Sequence, residues 1–490
     1  MVQATLGARA AAPAAGHPHP LARWPVLAIT CAVVLVHVAV SPFGEHWIDE
    51  VYMLAAGKYH PDWGYADQPP IAPLVAAAMD WLAPGSLPLL RLPAVLVAAA
   101  AVPLTALITR EFGGDRRAQV IASAATATGL WAALIGHWVT PYTFEPTLWL
   151  LLTWLLVRWI RLHHDGRPDD RLLLAAGAVT GLTLQTKFQI LILGAALLLT
   201  MLVFGPRRQL ARPMLLAAAA IAVLIALPTL IWQANHDWPQ LRMGPVVAQE
   251  TPVLSGGRLG TAASTLLYAG IAGAPLLCYG VWRLVTAAEM RMYRFLGVTT
   301  VLLYVFFVAT AARPYYLLGL YGVAFAAGAV GLQRRREVKR ARLRWVAWPA
   351  FGLSAAAALG VVWLSIGFTS SLLGITSPTL VADAGHAYNA LPEQTRSHTA
   401  ILTQNYVAAS YLDVLGSENG LPRAFSPHRG YGYFPPPDEA AQHVLYVGSD
   451  PGALREHFTE VEQLPGNTAM WFLSGKQESW AVLWPEVRHL

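Results

Sequence analysis

Asp49 and Glu50 stand side by side in the stretch EHWIDEVYMLAAGKYHPDWGYADQPP, residues 45–70. A carboxylate at such a place can take a proton from a hydroxyl. His46, Lys58, His60, Tyr65 and Asp67 crowd the same segment with Trp47, Tyr52, Tyr59 and Trp63, mixing acids, bases and stacking surfaces. Adjacent acids at a helix start also serve as a plain polar cap, and Trp47 or Trp63 taken singly fits an interfacial aromatic belt. Glu145, in TPYTFEP, is either a helix-start acid or a partner for Asp49. Lys187 and Arg313 are cations at the edges of apolar segments, and Tyr315 and Tyr316 follow Arg313 closely. Lysine as a point charge and arginine as a bidentate fork suit a phosphate; the plain alternative for Lys187 is snorkelling to headgroups. His137, His236 and Asp237 are scattered, with no paired spacing of the zinc-site kind.

The elements that must position these residues are apolar helices. Hydrophobic residues make up 55% of the chain and charged residues 13%, against about a quarter charged in an ordinary soluble protein. Nearly charge-free runs cover Trp24–Val40, Leu92–Ile108, Ala118–Ile135, Leu148–Ile160, Met214–Trp232, Ala262–Val281, Phe295–Ala312, Leu317–Leu332 and Trp345–Ile366. Leu172–Leu202 is too long for one span and breaks at Gln185–Lys187, which brings the expected total to about eleven spans. The first run lacks a small-residue cleavage site after a short apolar core and reads as a retained span.

The net charge of +6 does not indicate nucleic acid, because the arginines cluster at Arg110–Arg117, Arg158–Arg171, Arg207–Arg212, Arg283–Arg294 and Arg334–Arg344, on alternate loops. Under the positive-inside rule these loops are cytoplasmic. That puts the N-terminus inside and the acidic, aromatic loops outside. Ile71–Leu82 is too short to span and suits the interface. Cys31 and Cys278 fall inside spans and suggest no disulfide or metal framework. Beyond Gly367 the composition becomes that of a soluble domain of about 120 residues. HTAILT, HVLYVG and AMWFLSG read as buried strands, and Tyr406–Leu415 as a helix. The expected organisation is an all-α membrane domain over residues 1–367 and a small extracytoplasmic α/β domain over residues 368–490.

The ordered set DEVYMLAAGKYHPDWGYADQPPIAPL, TPYTFEPTLW, GLTLQTKF, PTLIWQANHDWPQL and RPYYLLGLYG resembles the bacterial glycosyltransferase family 39 proteins. These are relatives of the protein O-mannosyltransferases and of the aminoarabinose transferase that modifies lipid A. The tail segment AILTQNYVAASYLDVLGSENGLPRAFSPHRGYGYFPPP resembles one branch of the same family. The resemblance implies a GT-C fold in a bacterial inner membrane and a polyprenyl-phosphate sugar donor. The implied acceptor is a hydroxyl on lipid, glycan or protein. Asp49 matches the catalytic base and Glu50 its neighbour; Lys187 and the Arg313–Tyr316 stretch match the donor side. Gln68 replaces a common histidine and Glu145 a common aspartate. No cofactor is required, although a divalent metal on Asp49, His60 or Asp67 is an alternative.

Chemistry agrees with these roles. A departing lipid phosphate is a stable anion and needs no general acid, only a base for the acceptor and cations for the leaving charge. Single displacement with inversion is expected. A transporter or flippase of lipid-linked sugars would carry broken or charged spans at mid-membrane, and a non-catalytic receptor would tolerate loss of Asp49.

Overall fold

In the computed structural model the structure describes residues 18–338, 347–373, 376–465 and 469–490. The start of the Trp345–Ile366 run and the end of the Arg334–Arg344 cluster lie outside the described residues.

The apolar runs become helices, and the turns between them fall where proline, glycine or charge interrupts the pattern. In order they are α1 (Arg23–Val40), α2 (Ile48–Tyr59), α3 (Ile71–Leu82), α4 (Leu87–Glu111), α5 (Arg116–Ala127), α6 (Leu130–Ile135), α7 (Pro141–His164), α8 (Arg171–Leu184) and α9 (Gln189–Phe204). Then come α10 (Pro213–Asn235), α11 (Pro239–Ser255), α12 (Gly257–Leu267), α13 (Gly273–Thr286), α14 (Arg294–Ala309), α15 (Tyr321–Glu337) and α16 (Ala347–Leu373).

Among the described residues, six helical stretches are individually long and apolar enough to cross a membrane. The other expected spans are shorter or divided, except Leu148–Ile160, which lies within the long α7 and is not apolar enough over its length. Ala118–Ile135 breaks at Gly129, and Ala262–Val281 breaks between α12 and α13. The chain is a multi-pass membrane protein. Its basic loops meet at one end, where Arg336 pairs with Asp115, Arg334 and Arg283 with Glu289, and Arg161 with Glu111.

At the opposite end α2 and α3 pack as a pair. A Cβ on Gly57 would lie 2.0 Å from the Pro73 carbonyl oxygen, so only glycine permits that approach. The pair is fixed by one buried arginine. Arg91, near the start of α4, is 1% exposed, and Glu50 is 0% exposed. The guanidinium reaches Glu50 at 3.0 Å and also donates to the carbonyls of Ser41, Phe43 and Glu45 at 2.8–3.0 Å. Glu50 additionally accepts from the Val139 N–H at 3.1 Å. One side chain thereby joins the α1–α2 turn, α2, α4 and the approach to α7.

The tail continues as α17 (Ser377–Asn389), α18 (Glu393–Arg396), β1 (Thr399–Thr403), α19 (Tyr406–Leu415), β2 (Ala424–Phe425), β3 (His443–Val447), β4 (Phe458–Gln463), β5 (Met470–Lys476) and α20 (Trp480–Val487). Its mixed sheet has the order β2-β1-β3-β5-β4, with β2, β1 and β3 parallel and β5 antiparallel to both its neighbours. The strands expected from HTAILT, HVLYVG and AMWFLSG are β1, β3 and β5, and the expected helix is α19 to the residue. The last span runs on to Leu373, past the composition change at Gly367.

One hydrophobic cluster crosses from the membrane domain into the tail. Met53, Leu54 and Ala56 of α2 pack with Tyr406, Ala409 and Leu412 of α19. A Cβ on Gly430 would lie 1.8 Å from the Tyr52 hydroxyl, so the tail backbone sits directly on α2.

Arg91→Met leaves Glu50 buried without its cation. It should destabilise the protein by roughly 3–5 kcal/mol, the usual cost of breaking a buried pair from one side. Thermal or denaturant unfolding in detergent measures this, and a parent-like midpoint would show that Arg91 is not the fastener.

Candidate active site

Asp49 occupies the first turn of α2, where a negative charge complements the helix N-terminus. Both carboxylate oxygens accept from tyrosines. Tyr142, in the first turn of α7, donates to Oδ2 at 2.9 Å, and Tyr406, at the start of α19, donates to Oδ1 at 3.0 Å. Burial and the Asp49 charge push the Tyr406 hydroxyl well above its usual pKa, so it remains a donor. Trp47 donates to the Tyr142 oxygen at 2.5 Å and stacks on Trp138 at 4.6 Å. The tail thus supplies one of the two groups that orient Asp49.

Lys187 lies where α8 gives way to α9. Gln185 holds that break in place: its carbonyl accepts from Ile71 at 3.1 Å, its amide donates to Ile225 at 2.6 Å, and its side-chain oxygen accepts from Thr229. The Lys187 ammonium stands over the rings of Tyr316, Tyr315 and Tyr142 at 4.6, 5.3 and 5.7 Å. Ring faces attract a cation while leaving its N–H groups open to an anion. Glu145, one turn beyond Tyr142, is buried within electrostatic reach of Lys187, and its Oε1 has no hydrogen-bond partner among the described residues.

Arg313 precedes the short 3₁₀ segment that carries Tyr315 and Tyr316. It pairs with Glu250 of α11 at 2.5 Å, and Arg429 of the tail pairs with the other oxygen of the same carboxylate. Asp67 faces Arg429 and accepts from Tyr52 at 2.9 Å. Burial raises the Asp67 pKa, with the Arg429 charge opposing the shift. The loop bearing Asp67 is tied to α10, because Trp232 donates to Asp62 at 2.8 Å and Gln233 to the Tyr65 carbonyl at 3.0 Å.

The structure therefore gathers Asp49, Asp67, Glu145, Lys187, Arg313 and Tyr315 at one end of the bundle. It takes five expected residues out of the cluster. Glu50, expected beside Asp49 in the chemistry, is spent on Arg91, because adjacent helical residues point about 100° apart. The His46 carbonyl holds Tyr411 at 2.6 Å, and burial lowers the pKa of its imidazole. Lys58 pairs with Asp80 at 2.8 Å. Tyr65 braces its own loop through the His60 carbonyl at 3.0 Å. His60 stacks on Phe434 at 3.9 Å and accepts from Arg423 at 3.2 Å.

Asp49 and Asp67 accept from tyrosine hydroxyls and His60 from the Arg423 guanidinium. Among the described residues the group with metal-type geometry is His457, Glu478 and Glu486, at the tail surface away from Asp49. Tyr406, Arg429, Glu250 and Arg91 were not singled out in the sequence. Tyr406 and Arg429 both lie in the tail segment that carries the resemblance.

The family model described as dolichyl-phosphate-mannose-protein mannosyltransferase matches residues 67–232. That segment holds Asp67, Glu145 and Lys187, while Asp49, Arg313 and Arg429 lie beyond it. The fold matches ArnT from Cupriavidus metallidurans in its apo state, with a TM-score of 0.61 at 15% identity over 95% of this chain and 99% of that one. The chain has the GT-C fold. ArnT bound to undecaprenyl phosphate gives a TM-score of 0.57 at 15% identity, over 91% of this GT-C chain and 97% of that one. AglB, the oligosaccharyltransferase of Archaeoglobus fulgidus, in complex with an inhibitory peptide and a dolichol-phosphate, gives 0.51 at 14% identity over 87% and 69%. No curated protein matches the chain in sequence.

Burial and the Arg423 charge lower the His60 pKa to about 4. The solvent-exposed imidazole takes a proton near pH 6.5 and the docked one does not, so acid favours undocking. Tail docking should weaken as pH falls from 6.5 towards 4, and His60→Phe should remove part of that sensitivity while keeping the stack on Phe434. Hydrogen exchange of α2 and α19 across this range checks it. An unchanged profile in the variant would refute the assignment.

Proposed function

We propose that this GT-C protein is a membrane glycosyltransferase that moves a sugar from a polyprenyl-phosphate donor to an acceptor hydroxyl. The carrying observation is one carboxylate, Asp49, held by two tyrosines in a cluster that also contains Lys187 and Arg313. The fold shared with an ArnT that binds undecaprenyl phosphate supports the donor class.

Asp49 takes the acceptor proton through a lone pair left free by its tyrosine donors. The acceptor oxygen then bonds to the anomeric carbon as the carbon–oxygen bond to phosphate breaks. The leaving phosphate carries away the bonding electrons, and Lys187 and Arg313 neutralise its charge. Tyr315 walls the cation side. Such fixed charges stabilise the departing anion without reorganising at the moment of reaction. Attack opposite the leaving group inverts the sugar configuration. The basic loops at the far end of the bundle support a reading in which this site opens on the extracytoplasmic face of a bacterial inner membrane, with residues 368–490 outside as a domain that covers it. At this boundary a sugar is wet while its prenyl chain stays in lipid.

Asp49→Asn keeps the size of the side chain and one acceptor for a tyrosine hydroxyl, turns the other contact into one in which the amide donates, and removes the base. Transfer from a prenyl-phosphate sugar should fall by about 10²–10⁴-fold with an unchanged unfolding midpoint. NMR of the product should show inverted anomeric configuration. Retained activity in the variant, or retained configuration in the product, would defeat this mechanism; a flippase would keep its lipid translocation in the variant.

A further inference from the structure

Two guanidiniums from different domains converge on one carboxylate. Arg313 Nη2 reaches Glu250 Oε2 at 2.5 Å, and Arg429 Nη2 reaches Glu250 Oε1. Among the described residues each arginine keeps another buried N–H without a partner, Nη1 of Arg313 and Nε of Arg429. Buried charged donors left unpaired are costly, so the pair offers more hydrogen-bonding capacity than Glu250 uses. Glu250 is the most exposed of the three side chains, at 29% against 10% for Arg313 and 15% for Arg429. It stands on α11, between left-handed residues Trp238 and Gly256.

Arg429 is placed for more than latching the tail. Its backbone has φ +52, a conformation unfavourable for a side chain of this size, and is held by a 2.7 Å bond from its N–H to the His489 carbonyl. The guanidinium lies 5.3 Å from the ring of Tyr406, whose hydroxyl holds Asp49. The donor's phosphodiester has two non-bridging oxygens and the released prenyl phosphate three, in tetrahedral array, so a phosphate can take the place of the Glu250 carboxylate between the two guanidiniums.

We propose that Arg429 of the tail and Arg313 of the membrane domain form one phosphate cradle, and that Glu250 is the built-in anion which the donor phosphate displaces. The inference rests on the polyprenyl-phosphate reading above and extends it: the site is complete only with the tail docked. Glu250 competes with the donor, and its release from the two arginines is coupled to donor entry.

The test uses the full-length protein in nanodiscs with undecaprenyl phosphate as probe and undecaprenol as the neutral control. Arg429→Gln should weaken binding of the phosphate about tenfold or more, the scale of a lost charge-assisted hydrogen bond, and leave undecaprenol unaffected. Arg429→Lys should recover part of the loss. Glu250→Gln should bind the phosphate several-fold more tightly than the parent, an outcome that a purely structural bridge does not produce. Parent-like affinity in both Arg429→Gln and Glu250→Gln would overturn the cradle while leaving the transferase reading intact. A parent protein that does not distinguish the phosphate from undecaprenol would overturn both.

Discussion

The ion pair between Arg91 and Glu50 is the constraint on which the rest of the site depends. Taking both charges out of water is expensive, and the cost is offset only because every donor and acceptor is used. Arg91 spends its remaining N–H groups on three carbonyls of the turn leading into α2, and Glu50 takes the Val139 N–H. The pair therefore fixes the rotation of α2 relative to α4 and to the start of α7. Once that rotation is set, the neighbouring Asp49 has one direction to face, towards Tyr142 and the tail.

The second consequence is that the site belongs to both domains. Tyr406 orients Asp49, Arg429 meets Arg313 through Glu250, and the cluster beneath them runs unbroken from α2 into α19. Apolar burial holds the tail on the membrane domain, and directional bonds from tyrosine and arginine set its register. His60 and Arg423 add a polar seam beside Asp413, which is buried and also accepts from Tyr431 at 2.8 Å.

The cation side follows a different logic. Lys187 sits at a break between two apolar helices, and three tyrosine faces surround it. Rings stabilise the ammonium without consuming its hydrogen-bond donors.

The sequence by itself determined the membrane bundle, the break at Lys187, the helix of Asp49, the short apolar helix Ile71–Leu82 and the strands β1, β3 and β5. Each of these depends on local patterning: apolar run length, helical or alternating period, and punctuation by proline and glycine. It also singled out Asp49, Lys187 and Arg313, because ionisable groups beside apolar spans stand out by type alone. Tertiary structure decided what pattern does not encode. Glu50 and Asp49 are chemically alike and adjacent, and only a partner 41 residues away separates a structural anchor from a candidate base. Tyr406, Glu250 and Arg429 are ordinary residues in their own segments and gain meaning from contacts hundreds of positions apart in some cases. Where a long apolar run bends or breaks is likewise set by what packs against it, as at Gly129 and between α12 and α13.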